Sequence, residues 1–264
     1  MKSNPKLIAF TCFLFLLSNA IVYSQKLAIA VEDDAAPWSQ KDGNGYANDV
    51  VRAAFKAVGE EVVLEVVPYS RGKEMVMSGK VAACFSMAWL TEFQEKVIFP
   101  QKPLFTCYND FFAQKSNPSK VTRIENFKKG TKLGVVIGYE YPPYVYQLRD
   151  KGILIFEESE SEVVNLKKLA LGRIDYALIN HNETKPDELL IARAGATGKI
   201  IKSVTGNTLD CYIGFSTKHP QGAPALKKFN KGMQIIRQNG TLKKITKKWK
   251  EKAHSEIKKL NAPN

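Results

Sequence analysis

A chain of 264 residues with 44% hydrophobic and 10% aromatic content can bury sizeable cores, which excludes a disordered polypeptide and suits one or two domains. The formal net charge of +13 invites a nucleic-acid reading, but much of the excess sits in the last helical segment, and that distribution argues against it.

In chain order, Lys2 and Lys6 precede an apolar run from Leu7 to Leu17, and small residues follow near Ala20 and Ser24. This is the layout of a secretory signal peptide over residues 1–24. Cleavage is expected after Ser24, with Ala20 the second choice, so the mature chain begins near Gln25. The run is shorter than the ~20 apolar residues that span a bilayer, which sets an uncleaved anchor behind secretion. Cys12 lies inside the run and makes a poor lipid acceptor. No other segment is long and apolar enough to span a membrane.

The mature segment reads as two α/β units. Lys26 to Glu32 is a strand, Asp34 to Asn44 a loop carrying Pro37 and Trp38, Tyr46 to Val58 a helix closed by Gly59, and Glu61 to Val67 a strand. Arg71 to Ser78 reads as a helix with Met75 and Val76 on its apolar side, and Gly79 sits where a helix end wants a residue tolerant of φ > 0. Val81 to Met87 is nearly all apolar, as in a parallel strand covered on both faces. Phe105 to Gln114 then crosses into a second series. There Val121 to Lys128 is a short helix, Lys132 to Ile137 a strand, and Pro142 to Asp150 a helix after the turn Gly138-Tyr139-Glu140-Tyr141. Strand Ile153 to Glu157, helix Ser161 to Leu171, strand Ile174 to Asn180, helix Asp187 to Arg193 and strand Lys199 to Val204 complete it. Asp210 to Phe215 returns, and the remaining helices pack back on the first unit.

Without the signal segment three cysteines remain, Cys84, Cys107 and Cys211, so at least one is unpaired. Cys84, in mid-strand, is most simply a buried small hydrophobe. In the last helix Lys243, Lys244, Lys247, Lys248, Lys250, Lys252, Lys258 and Lys259 outnumber Glu251 and Glu256. Leu242, Ile245, Trp249 and Ile257 supply an apolar stripe, which gives an amphipathic surface helix with solvated lysines; a membrane-surface role is the weaker alternative.

The block from Pro68 to Phe105 carries a helix, the strand Gly79-Lys80-Val81-Ala82-Ala83, the turn Thr91-Glu92-Phe93-Gln94 and an exit at Phe99-Pro100. It resembles the family 3 extracellular solute-binding proteins, the polar amino-acid type that serve ABC importers, with their "G-x-x-D-A" strand, "T-x-x-R" turn and "F-S-x-P-Y" exit. Ala82 replaces the usual Asp, Gln94 the usual Arg, and the exit is shortened. The closing "G-T-L-x-K-I-x-x-K-W" helix is matched from Gly240 to Trp249.

The resemblance implies an α/β, two-lobed, type II periplasmic-binding-protein-like fold with a two-strand hinge. Residues 25–107 and 212–264 would form lobe 1, and residues 108–211 an inserted lobe 2. Cys107 and Cys211 would then lie on neighbouring strands, as a disulfide or as two free thiols. Ligands of open α/β sheets bind beyond the carboxyl ends of strands. The resemblance places the site at Glu32, Trp38, Tyr69, Arg71, Ser86, Trp89, Thr91 and Gln94 from lobe 1, and at Tyr139, Glu140, Tyr141 and Asn180 from lobe 2. Trp38 is expected to stack on a flat or cationic ligand, and Arg71 to meet a carboxylate or phosphate. Gln94 and Asn180 stand where amino-acid binders carry an Arg and an Asp, so both poles of a zwitterion site are neutral.

No G-x-S-x-G, H-E-x-x-H, P-loop or G-x-G-x-x-G occurs, and the histidines are only His181, His219 and His254. Neither catalysis, metal nor cofactor is expected. The reading is a monomeric periplasmic binder of a small polar ligand other than a standard α-amino acid, working with an ABC permease, with no nucleic-acid partner and touching the membrane only through its partner. A periplasmic ligand-sensing subunit, a small secreted enzyme and a basic surface-binding protein are the alternatives.

Overall fold

The computed structural model describes residues 26–117 and 121–262, and the expected signal segment lies outside the described residues. Among these, no helix is long and apolar enough to cross a membrane.

The first half of the chain forms β1 (Leu27–Glu32), the small strands β2 (Asp34–Ala35) and β3 (Ser39–Gln40), α1 (Tyr46–Lys56), β4 (Val62–Val67), α2 (Tyr69–Ser78), β5 (Ala83–Ala88), β6 (Val97–Ile98) and β7 (Phe105–Gln114). The second series is β8 (Thr131–Val136), α3 (Pro143–Asp150), β9 (Leu154–Ser159), α4 (Glu162–Ala170), β10 (Tyr176–His181), α5 (Asp187–Arg193) and β11 (Ile200–Val204). It is followed by β12 (Thr208–Ser216), α6 (Gly222–Gln238) and α7 (Thr241–Leu260). The longer elements fall where the hydrophobic pattern places them; the two-residue strands β2 and β3, in a segment expected as a loop, and β6 were not expected, and one helix needs correcting. Residues 121–128 make only a single 3₁₀ turn at Ile124–Asn126, since Phe127 is the one buried side chain there and a lone anchor gives a helix no apolar face. At the end of α2, Gly79 takes φ +83° and closes the helix as expected.

Strand order is β4-β1-β5-β12-β7-β10-β8-β9, with β11 on β7 and β6 on β12. Two parallel sets, β4-β1-β5 and β10-β8-β9, flank an antiparallel pair, β12 and β7. The hydrogen-bonded path is unbroken because each of these two strands pairs with the other and with one set: β12 reaches β5, and β7 reaches β10. The apolar interior nevertheless divides by lobe. One side holds a core of Ile29, Val50, Phe55, Phe85, Phe215, Phe229 and Trp249, drawing on both ends of the chain, with a smaller cluster around Met75, Val76 and Met87. The other side holds Phe111, Leu133, Val145, Leu154 and Leu178, with a second cluster around Phe112, Leu166 and Leu169. The fold is mixed α/β with two lobes, and β7 and β12 connect them.

Cys211 faces Phe105 and Leu209 faces Cys107 across the β12–β7 ladder, which leaves the two thiols free with sulfurs 3.8 Å apart. In α7, Trp249 and Ala253 are buried, while Lys248 pairs with Asp49 at 2.9 Å and Lys250 with Glu183 at 2.8 Å. The lysine-rich helix is thus amphipathic, docked by its apolar stripe.

Helices α1 and α6 cross at Gly232, where an added Cβ would fall 1.9 Å from the Ala54 carbonyl oxygen. Backbone cannot retreat as a side-chain tip can. Gly232→Ala should therefore cost about 2 kcal/mol or more, beyond the ~1 kcal/mol of helix propensity it gains. A urea midpoint equal to or above the wild type's would contradict this close approach.

Candidate ligand site between the lobes

A cavity of about 20 Å³, room for about one water, lies where the lobes meet. Its walls are Glu32, Trp38, Tyr69, Ser86, Tyr139, Glu140 and Asn180, all expected from the sequence, together with Leu209 and Cys211. Glu32 ends β1, Trp38 sits between β2 and β3, Tyr69 opens α2 and Ser86 lies in β5. From the other lobe come the turn after β8, carrying Tyr139 and Glu140, and Asn180 of β10.

Around the cavity walls, three sets of hydrogen bonds link the lobes. Tyr139 donates its hydroxyl to Glu32 Oε1 at 2.6 Å. Glu140 accepts from the Tyr69 hydroxyl and from Lys73 Nζ, each at 2.5 Å, and from the Ala88 N–H at 3.4 Å. Trp38 Nε1 donates to Asn182 Oδ1 and Thr184 Oγ1, at 3.2 and 3.1 Å.

Burial governs the charges. Glu32, 5% exposed, has its carboxyl pushed up to about 8, desolvation outweighing the Tyr139 hydrogen bond and the attraction of Lys185. Burial also raises Glu140, although Lys73 and then Tyr69 pull the other way. Tyr69 and Tyr139 are driven well above the ordinary phenol range by burial first and by these carboxylates second. The fully buried Lys185 pairs with Glu162 and lies 4.2 Å from the Trp38 ring centroid. Two polar atoms at the cavity have no partner, Ser86 Oγ and Asn180 Oδ1. Ser86 also has φ +69°, the one positive φ outside glycine among the described residues, and such strain gathers at functional sites.

Five expected residues fall elsewhere. Tyr141 stands behind the wall, its hydroxyl accepting from the Val136 N–H at 2.8 Å and fixing the turn. Arg71 is exposed, because the inward face of α2 runs through Tyr69, Gly72, Lys73 and Val76, and Arg71 points away from it. Trp89 is 55% exposed and stacks on Phe99 at 6.0 Å. Thr91 and Gln94 are exposed on either side of the buried Phe93, in a 3₁₀ turn that eclipses residues three apart. The stacking role of Trp38 also needs correcting, since Lys185 holds a place over its ring and Phe105 lies against it at 4.5 Å. Sequence reasoning missed Lys73, Leu209 and Cys211. The helical phase set by Tyr69 would have found Lys73 four residues on.

Larger open grooves run along α6 and α7, one of about 730 Å³ beside Leu242 and Thr246 and one of about 720 Å³ beside Phe99 and Met233. Neither is lined by a buried polar atom lacking a partner. Among the described residues no group of His, Cys, Asp and Glu could hold a metal ion.

A family model described as bacterial extracellular solute-binding proteins, family 3, matches residues 27–252. A search of curated proteins returns no match. Among solved structures, a histidine kinase sensor domain with similarity to periplasmic binding proteins superposes with a TM-score of 0.73 at 19% identity, over 85% of this chain and 96% of that one. An ancestral arginine-binding protein bound to arginine gives 0.71 at 20% identity, over 85% and 97%. An ancestral amino acid-binding protein, a precursor of cyclohexadienyl dehydratase, gives 0.63 at 19%, over 85% and 94%. At these identities the likeness is one of fold.

Proposed function

The chain belongs to family 3 of the bacterial extracellular solute-binding proteins, and we propose that it captures a small polar solute other than a standard α-amino acid between its lobes. In this reading residues 25–107 and 212–264 form lobe 1 and residues 108–211 lobe 2, and the strands between them hinge. On the same reading the protein is periplasmic, monomeric and non-catalytic and hands its ligand to an ABC permease, and membership of an extracellular solute-binding family supports the secreted, ligand-binding part of it.

One observation carries the ligand class: among the described residues no unpaired cation faces the cavity. Lys73 is paired with Glu140, Lys185 with Glu162, and Arg71 and Gln94 lie outside. A buried α-carboxylate would enter without compensating charge, and an unpaired buried ion costs several kcal/mol. The functions lining the cavity are instead Ser86 Oγ and Asn180 Oδ1, which lack a partner, and the carboxyl of Glu32, which accepts from Tyr139; they suit neutral hydrogen bonds and, at Glu32, a positive group.

A thermal-shift panel of the twenty amino acids tests this, with no stabilisation expected. A shift from any of them, confirmed by calorimetry at micromolar affinity, refutes the ligand class. A second reading, a sensor subunit that presents the occupied state to a membrane receptor, draws on the similarity to the kinase sensor domain. Co-purification with a permease favours the first, and with a receptor the second.

A further inference from the structure

Three donors on lobe 1 converge on one place at the lobe interface: the Tyr69 hydroxyl, the Lys73 ammonium and the Ala88 N–H. They come from α2 and β5, and the group they surround comes from the other lobe. Among the described residues, Glu140, 5% exposed, receives the hydrogen bonds to its carboxylate from lobe 1 and none from its own. An ammonium, a hydroxyl and a backbone N–H together complement the lone pairs of one carboxylate. Lys73 also donates to the Gly138 carbonyl of the same turn at 2.5 Å, and its Nζ lies 4.9 Å from the Tyr69 ring centroid on its own helix.

We propose that Tyr69, Lys73 and the Ala88 N–H form a carboxylate-binding subsite of lobe 1, and that Glu140 fills it as a built-in ligand, making Glu140 the residue that excludes free carboxylates. The inference rests on the reading that the solute is not an α-amino acid, and it supplies a cause. Any solute carboxylate must compete with a side chain tethered beside the same three donors. Removing the tether opens the subsite without touching the donors.

The test compares wild type, Glu140→Ala and Glu140→Gln by thermal shift, with sodium acetate and sodium formate titrated against sodium chloride at matched ionic strength. Glu140→Ala should be stabilised by the carboxylates at millimolar concentration and not by chloride. Wild type and Glu140→Gln, in which the subsite stays filled, should give the chloride response with all three salts. Adding Lys73→Met to Glu140→Ala should weaken acetate binding at least tenfold. Glu140→Ser runs in parallel. A variant that folds only with acetate present supports the subsite, and failure of both variants to fold in acetate counts against it. A Glu140→Ala response no larger than that to chloride, or an equal acetate response in wild type, overturns the proposal. Stabilisation of wild type by an α-amino acid is a separate result, which refutes the ligand class above.

Discussion

Lys73→Met should destabilise the native protein by about 3–5 kcal/mol, and combining it with Glu140→Gln should restore most of that loss. The side chains are 15% and 5% exposed and 2.5 Å apart, so removing the ammonium strands a carboxylate in a place water barely reaches. Methionine keeps an aliphatic stem of similar length and removes the ammonium, whose Nζ lies 4.9 and 5.9 Å from the Tyr69 and Phe93 ring centroids, so the loss is chiefly one of charge. The carboxylate then protonates, or the turn that carries it is drawn out and the lobes part. Urea denaturation of both single variants and the double variant separates pair from parts, and a coupling of about 2 kcal/mol or more is expected. If Lys73→Met alone costs under about 1 kcal/mol, the ion pair is not what fastens the lobes together.

Hydrophobic period made the strands and helices legible. β1, β5 and β8 are short apolar runs, and α1 carries its buried stripe through Tyr46, Val50, Val51, Ala54 and Phe55. The candidate site was legible where it stands at strand ends, as Glu32, Ser86 and Asn180 do, since a strand's end is fixed once its run is fixed. It was less legible on helices and turns. Two residues along α2 is more than half a turn, so Arg71 and Lys73, chemically alike, face solvent and the opposite lobe respectively. Around Phe93 a single buried anchor decides which way Thr91 and Gln94 point, and the sequence alone does not say that the anchor turns inward. Leu209 and Cys211 reach the cavity because β12 starts before the expected Asp210 and pairs with β7 from Thr208 onward, a long-range register with no local signal. The pairing of Glu140 with Lys73 spans the two lobes and is likewise absent from any window of sequence.

Glu32→Gln should leave stability almost unchanged near pH 4.5 and raise it by on the order of 4 kcal/mol at pH 8. Burial pushes the Glu32 carboxyl from 4.5 to about 8, ahead of the opposing Tyr139 hydrogen bond and the opposing charge of Lys185, with Glu162 and Asp33 adding to the rise. The sign follows from which state lets go of the proton first. Below pH 4.5 native and unfolded chains both hold it, and burial of the neutral acid carries no ionisation cost. As pH rises, the unfolded chain ionises at its ordinary value while the native state stays protonated until about 8, so the unfolded state binds fewer protons and stability falls across that interval. Each unit is worth about 1.4 kcal/mol. Glutamine removes the titration and keeps an oxygen to accept from Tyr139, so the variant lacks this decline. Urea denaturation of both proteins at pH 5 and pH 8 measures it, and a stability difference that does not grow with pH would refute a protonated Glu32 at the lobe interface. The same proton bears on ligand binding. A solute presenting a positive group to Glu32 ionises it, so binding at pH 7 should release close to one proton and tighten towards pH 8. Calorimetry in buffers of different ionisation enthalpy reads that release directly, and equal heats in all of them would mean that the bound solute leaves Glu32 neutral.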